Sequence, residues 1–363
     1  MDAHILGIGT AVPEFEIEQT DAAEQASQLC CATVQQQRML KTLYRRAGVT
    51  KRHSVVLTSS TNGQPAGQSF YVQNDSIPDG PTTAERMEKY ERYAAPLAIE
   101  ASRRSLVHAQ VDGTTVTHLV TVSCSGFSAP GVDLAIIREL QLDPETSRTH
   151  IGFMGCSGAI NGLRVAKAFA ESTPNACVLL CAVELCTLHH QYRWQPDQIV
   201  ANALFADGAA AAVIQARGDD RPDEAWHLVD LRSTVIPDSA NLMHWRIEDH
   251  GFQMSLSPQV PTLINNTLRV WLKQWLGEHH LEIDDIASWA IHPGGPRIVE
   301  ACAQAVASND CMADSLAVLA EYGNMSSPTV LFILDRLRRR GADRPCVALA
   351  FGPGIAVEAA LLN

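Results

Sequence analysis

Cys156, His292 and Asn324, far apart in the chain, carry the groups needed to make and break a thioester. Cys156 stands in Gly155-Cys156-Ser157-Gly158, where an apolar strand-like run gives way to a helical pattern. Small neighbours let the backbone turn sharply and leave the sulfur reachable, as in other strand-to-helix elbows that present a nucleophile. The first N–H groups of a helix favour an anion, so the thiol is expected to titrate below its usual range. His292 ends the run ASWAIH and precedes Pro293-Gly294-Gly295, which places its ring in a loop-lined cavity. Beside that thiol, an imidazole would form a thiolate–imidazolium pair. Asn324 lies in the polar turn EYGNMSS. Its carboxamide cannot act as a base, but its N–H groups can bind an oxyanion. Each residue also has an ordinary reading: a buried structural cysteine, a surface histidine, or a turn asparagine bonded to its own backbone.

The elements that must position these groups follow an α/β grammar, with apolar strand-like runs alternating with helical patterns. Residues 118–123 and 150–154 read as strands, and 131–140 as a helix after a Pro-Gly turn. A mostly apolar helix is expected over 157–170, with Ile160, Leu163, Val165, Ala166 and Phe169 on its buried faces. A further strand follows at 177–184, and an apolar run at 209–214 leads into the polar stretch 216–224, the best internal boundary. The grammar then returns: strand 288–292, helix 296–307, helix 327–340 with Ser327 as N-cap and Pro328 at its first position, and strand 346–350 entering the turn 351–354. Two halves of similar grammar suggest an internal duplication. Gly7-Ile8-Gly9 lacks the third glycine and the preceding strand of a dinucleotide-binding turn, so that reading is set aside.

The chain has 363 residues, 46% hydrophobic and 19% charged, enough to bury a large core. Its net charge of -12, from 28 basic and 40 acidic residues, argues against a general nucleic-acid binder. Neither a secretory signal nor an apolar run long enough to span a bilayer is visible. The ten cysteines, without regular spacing, then read as reduced thiols of a cytoplasmic protein, and no metal site is expected. Cys177, Cys181 and Cys186 read as small buried hydrophobes.

Taken together, GCSGAINGLR around Cys156, HPGGP from His292, EYGNMSS around Asn324 and the terminal FGPGIAVE resemble the type III (chalcone-synthase-like) polyketide synthases, in that family's order. ALFADGAAAAV at 203–213 and GTAVP at 9–13 match as well, so the resemblance spans essentially the whole chain. It implies the thiolase fold, a five-layered αβαβα arrangement of two related halves, and normally a homodimer. The halves would be 1–215, carrying the nucleophile, and 225–363, carrying the histidine and asparagine. Cys156 would take a starter acyl group from its CoA ester, while His292 and Asn324 hold the thioester carbonyl of malonyl-CoA as carbon dioxide leaves. No resident cofactor is implied, since the CoA thioesters are substrates.

The resemblance places Phe205 as an aromatic gate and Ser125, Ala129, His189, Trp245, Met254, Ser326, Gly352, Pro353 and Gly354 around the substrate cavity. Met254 stands where plant enzymes carry an aromatic residue. Ala129 stands where they carry a methionine that reaches the neighbouring subunit's cavity. These departures favour a medium or long aliphatic starter, cyclised to an alkylpyrone or alkylresorcinol, over an aromatic one. Basic residues without an intervening acid run from Arg38 to Arg52; Lys41, Arg45 and Arg46, with Arg297 after HPGGP, are the candidates for CoA phosphate and pantetheine. A ketoacyl-ACP synthase III shares the fold and triad but would usually show His-Gln-Ala-Asn where this chain has His292-Pro293-Gly294-Gly295. A papain-like protease would carry its cysteine near the N-terminus with disulfides nearby. A non-catalytic scaffold would be expected to lack at least one triad residue.

Overall fold

The structure is a computed structural model that describes residues 2–61, 63–73, 78–218, 224–308 and 310–363. Its first half contains β1 (Asp2–Ala11), β2 (Glu16–Glu18), α1 (Gln19–Cys30), α2 (Val34–Arg46), β3 (Lys51–His53), α3 (Thr83–Ala109) and β4 (His118–Ser123). There follow α4 (Val132–Glu139), β5 (Ser147–Gly152), α5 (Gly158–Ser172), β6 (Cys177–Leu185), α6 (Pro196–Leu204) and β7 (Asp207–Arg217). The second half runs β8 (Trp226–Val235), β9 (Met243–Glu248), β10 (Gly251–Leu256), α7 (Val260–Gly277), β11 (Ser288–Ile291), α8 (Pro296–Val306), α9 (Ala313–Tyr322), α10 (Thr329–Arg339), β12 (Cys346–Gly352) and β13 (Ala356–Leu362).

Nine strands join in the order β11-β12-β13-β8-β1-β7-β6-β4-β5. Outward from the centre, β1-β7-β6-β4 and β8-β13-β12-β11 each pair antiparallel, antiparallel, then parallel. The two series meet where His4 and Ile5 face His227 and Trp226. That repeated pairing is the internal duplication expected from the sequence. Part of the boundary stretch 216–224 lies outside the described residues.

The continuous apolar runs make sense because both faces of these strands are covered. Along β6, Val178, Leu180 and Ala182 join a core shared with α5 and α10, while Cys177, Leu179, Cys181 and Val183 face α3 and α4. Along β12, Cys346, Ala348 and Ala350 face that same central core, whereas Val347, Leu349 and Phe351 pack toward α7 and α8. Helices α5 and α10 therefore lie between the two half-sheets, with α3/α4 and α7/α8 outside, giving the αβαβα fold.

Gly7 and Gly9, whose dinucleotide reading is set aside, sit inside β1, and a Cβ on Gly9 would lie 2.3 Å from the Ala101 carbonyl oxygen. Their smallness lets α3 press onto the strand. The strand before Cys156 starts earlier, at Ser147, and ends at Gly152, and its following helix begins at Gly158. Ser327 is not an N-cap: Pro328 holds that position, and the Ser327 hydroxyl donates to Glu184 Oε1 at 2.6 Å. An N-cap hydroxyl would accept from a backbone N–H, whereas this one is turned to donate a charge-assisted bond to a buried carboxylate.

Candidate active site

The chain leaves β5 through an abrupt bend. Phe153 and Gly155 are both left-handed, with φ of 57° and 62°, and they bracket Met154 just before Cys156. Cys156 occupies a single 3₁₀ turn, Gly155–Ser157, at the head of α5. Gly155 is required twice over, by its positive φ and because a Cβ would sit 2.5 Å from Pro353 Cδ. A Cβ on Gly352 would meet Ser157 Oγ at 2.6 Å, so the end of β12 and the turn after it are packed directly under the Cys156 turn.

Asn324 arrives from the end of α9. Its N–H donates to the Leu204 carbonyl and its carbonyl accepts from the Ala206 N–H, both at 2.9 Å, forming an isolated parallel bridge with Phe205. Its Oδ1 accepts from the Ser326 N–H at 2.8 Å. That bond leaves the amide nitrogen free to point away from the Ser326 backbone, and the side chains of Asn324 and Ser326 both act on the Cys156 sulfur, holding its thiol lower than burial alone would. Ser326 holds a left-handed φ of 58°, an outlier for a non-glycine residue.

His292 follows β11, its N–H donating to the Leu349 carbonyl at 2.8 Å. The neighbouring β12 continues from Leu349 to the Gly352-Pro353 turn beneath Cys156, so His292 and Cys156 lie at one end of the second half-sheet. The His292 side chain is buried, at 1% exposure, and neither ring nitrogen has a hydrogen-bond partner among the described residues.

The electrostatics correct the expected ion pair. Burial pushes the Cys156 thiol up to about 11; bonds from Ser326 and Asn324 oppose this, and the Glu184 charge adds to it. Part of the residue stays accessible, yet the sulfur is enclosed by protein, which outweighs the nearby helix terminus. Burial also lowers His292 to about 3. Burial thus favours the neutral form of each group, thiol and imidazole.

One buried residue beside the site escaped the sequence reading. Glu184, fully buried, accepts from the N–H groups of Cys124 and Ser125, each at 2.9 Å, and from the hydroxyls of Ser125 and Ser327, each at 2.6 Å. Burial raises its carboxyl despite these donors. It ties the end of β4 to the start of α10 behind Cys156. The available signal was a lone carboxylate inside the apolar run of β6, where a charge persists only if well bonded.

Two cavities adjoin. The smaller, about 400 Å³, is lined by Cys156, Cys124, Ser125, Ser326 and Pro353. The larger, about 750 Å³ and open to solvent, extends between α1, α6 and β10. Cys186, Phe205, Trp245 and Met254 line both and form the neck between them. Cys186 is thus a wall of the neck, whereas Cys177 and Cys181 are the buried small hydrophobes expected. Trp245 is fixed there by donating from Nε1 to the Cys124 carbonyl at 2.8 Å. His189 lines the larger cavity, but its ring is spent on structure: Nε2 faces the Ser125 carbonyl at 2.6 Å, and Nδ1 accepts from the Phe252 N–H at 3.0 Å. Two placements differ from expectation. Ala129 is exposed and lines neither cavity of its own chain, because its loop turns outward beyond Gly126. Gly352 and Gly354 support the nucleophile turn and the Met243 backbone rather than forming cavity wall.

The basic candidates are exposed, and Lys41 pairs with Glu24 at 2.6 Å. A Cβ on Gly48 would lie 2.8 Å from Pro296, so the end of α2, with Arg45 and Arg46, abuts the start of α8, with Arg297. Among the described residues no cluster of His, Cys, Asp or Glu is placed to hold a metal, and no helix is long and apolar enough to cross a membrane.

Comparison with known proteins agrees with this architecture. The family model for chalcone and stilbene synthases matches in its N-terminal domain over residues 1–218 and its C-terminal domain over 227–363. The chain is 31% identical to the alpha-pyrone synthesis polyketide synthase-like Pks18 of Mycobacterium tuberculosis, covering 99% of this chain and 91% of that protein. It is also 31% identical to the 1,3,6,8-tetrahydroxynaphthalene synthase of Streptomyces peucetius, covering 99% and 92%. The crystal structure of PKS-I from the brown alga Ectocarpus siliculosus superposes with a TM-score of 0.93 at 30% identity, covering 100% and 98% of the two chains. Matched in both halves and along its whole length, the chain belongs to the chalcone and stilbene synthase family and is a type III polyketide synthase, an acyltransferase-type condensing enzyme.

Proposed function

We propose that this enzyme loads a medium- or long-chain fatty acyl group from its CoA ester onto Cys156, extends it with malonyl-CoA, and releases an alkylpyrone or alkylresorcinol. The Cys156 sulfur attacks the starter thioester carbonyl, forming a new C–S bond as the bond to CoA sulfur breaks. The thiol proton leaves with CoA. Malonyl-CoA then loses carbon dioxide, and the electron pair of the broken C–C bond moves onto its thioester oxygen. That enolate attacks the acyl-Cys156 carbonyl, and the Cys156 thiolate departs. No resident cofactor is needed.

The observation that carries this reading is His292, whose buried ring nitrogens have no partner among the described residues. Burying an imidazole unsatisfied costs about 1–3 kcal/mol, and a substrate oxygen offers the missing acceptor. A neutral imidazole N–H and the Asn324 amide are both donors, and donors, not a base, are what an oxygen gaining charge requires. One such donor is worth about 3 kcal/mol. Supporting the aliphatic starter is the mostly apolar larger cavity reached through the neck. A relative named for alpha-pyrone synthesis is consistent with the product class. Arg45, Arg46 and Arg297, beside one another at the surface, would meet the CoA phosphates. The halves 1–215 and 225–363 would act as one unit.

A homodimer is proposed through the open edge of β5, where exposed Phe127, Phe153 and Met154 cluster beside Ala129. The test of the whole reading is to supply malonyl-CoA with acyl-CoAs of graded length and aromatic acyl-CoAs, and to identify products by mass. Use of aromatic starters with refusal of aliphatic ones would overturn it, as would activity only with malonyl-ACP.

A further inference from the structure

The larger cavity is not a plain hydrocarbon sleeve. Helix α6 turns Gln198, Ala201 and Asn202 toward it, the i, i+3 and i+4 positions of one face, and Phe205 follows just past its C-terminal end. Phe205 marks the catalytic end. Gln198, seven residues earlier, lies roughly 10 Å along the axis from it.

Gln198 is 6% exposed, and its Nε2 donates to the Met254 carbonyl at 3.3 Å. That acceptor fixes the amide orientation, since the flipped form would set two oxygens against each other. Its Oε1 is left buried with no partner among the described residues, on a residue that lines the cavity. A second unmet group lies on the same wall. Arg52, 4% exposed, uses its terminal nitrogens on the carbonyls of Asn202 and Phe205 and on Gln19 Oε1, while its Nε is buried and unpartnered. The wall thus carries one unmet acceptor and one unmet donor, both closed to water at rest, so an occupant meets them through a small side-chain shift, and an alkyl chain satisfies neither.

We infer that the acyl chain accommodated here bears oxygen, specifically a hydroxyl that donates to Gln198 Oε1, so that the preferred starter is a hydroxyacyl-CoA rather than an unsubstituted one. This rests on the aliphatic-starter reading above and narrows it. Sites built to bond a substrate hydroxyl reject the analogue that lacks it more strongly than apolar pockets discriminate by size. The Arg52 Nε–H is a donor for a lone pair of an oxygen nearer the neck.

The experiment compares kcat/KM for chain-length-matched hydroxyacyl-, carboxyacyl- and unsubstituted acyl-CoAs, with the hydroxyl moved along the chain, in the wild-type enzyme and in Gln198→Leu. The expected result is at least a tenfold preference for one hydroxyl position, lost or reversed in Gln198→Leu. Circular dichroism and thermal unfolding matching the wild type serve as the control that the variant is folded. Equal use of hydroxylated and unsubstituted chains, preference for the carboxylated chain, or a preference that survives Gln198→Leu overturns the inference while leaving the aliphatic reading intact. Refusal of every aliphatic starter overturns that reading itself. If Gln198→Leu does not fold, Gln198→Met, which keeps the length but has no amide acceptor, decides: reduced discrimination supports the inference, and unchanged discrimination overturns it.

Discussion

Asn324 and Phe205 are joined backbone to backbone: two 2.9 Å hydrogen bonds bridge the segment around Phe205 to the turn that carries the Asn324 carboxamide. The Phe205 ring and the Asn324 carboxamide therefore share one rigid mounting, although they stand 119 positions apart in the sequence. Because the bridge uses only backbone, side-chain changes at Asn324 should leave it standing. Asn324→Ala is expected to lower kcat for malonyl-CoA decarboxylation by two to three orders of magnitude, the loss of about 3 kcal/mol from one donor. Carbon dioxide release measures it. A loss below fivefold would remove Asn324 from the chemistry.

A thiol held near 11 makes a definite statement about reactivity. Below that value the thiolate fraction of Cys156 grows about tenfold per pH unit, so iodoacetamide alkylation should climb steadily from pH 7 to pH 10. Mass spectrometry of the Cys156 peptide gives the rate. A plateau already reached at pH 7 would mean that the thiolate–imidazolium pair forms in solution.

Buried neutral imidazoles make stability fall with acid. Burial lowers both His189 and His292 to about 3, against an ordinary value of 6.5. Between those values the unfolded chain binds more protons than the folded one, so stability is intact above pH 6.5 and declines as pH falls toward 3. At pH 5 the loss is about 2 kcal/mol for each histidine. His189→Gln should narrow the difference between pH 7 and pH 5 in denaturant unfolding by a similar amount. An unchanged difference would show that His189 is protonated or solvated in the folded state.

Trp245 is the one indole of the neck, latched to the Cys124 carbonyl and packed edge-on against His189 and Phe252. Trp245→Ala should merge the two cavities and shift products toward longer starters or more extensions, at a stability cost of about 3 kcal/mol. An unaltered product spectrum would place chain-length control elsewhere.

At the surface, Arg46→Glu and Arg297→Glu should raise KM for malonyl-CoA about fivefold each while leaving kcat within twofold. Exposed charge contacts are worth about 1 kcal/mol and should fade with added salt. Equal KM in both variants at low salt would exclude this patch.

Much of this was legible beforehand for identifiable reasons. Strands such as β4 and β6 announced themselves because apolar runs of that length, bounded by turn residues, have few alternatives, and Gly155 and the Pro-Gly turn after His292 marked where backbone must bend. Residue order alone assigned the family and singled out Cys156, His292 and Asn324. Tertiary structure decided what those residues are in the resting protein. The Cys156 thiol is raised rather than lowered because enclosure depends on how α9, β12 and α5 close around it, and no local sequence reports that. Glu184, the Trp245 latch and the unmet polar atoms of Gln198 and Arg52 likewise exist only as contacts between distant segments. Local pattern fixes which way a chain turns; solvent exclusion, and with it charge state and cavity chemistry, belongs to the folded whole.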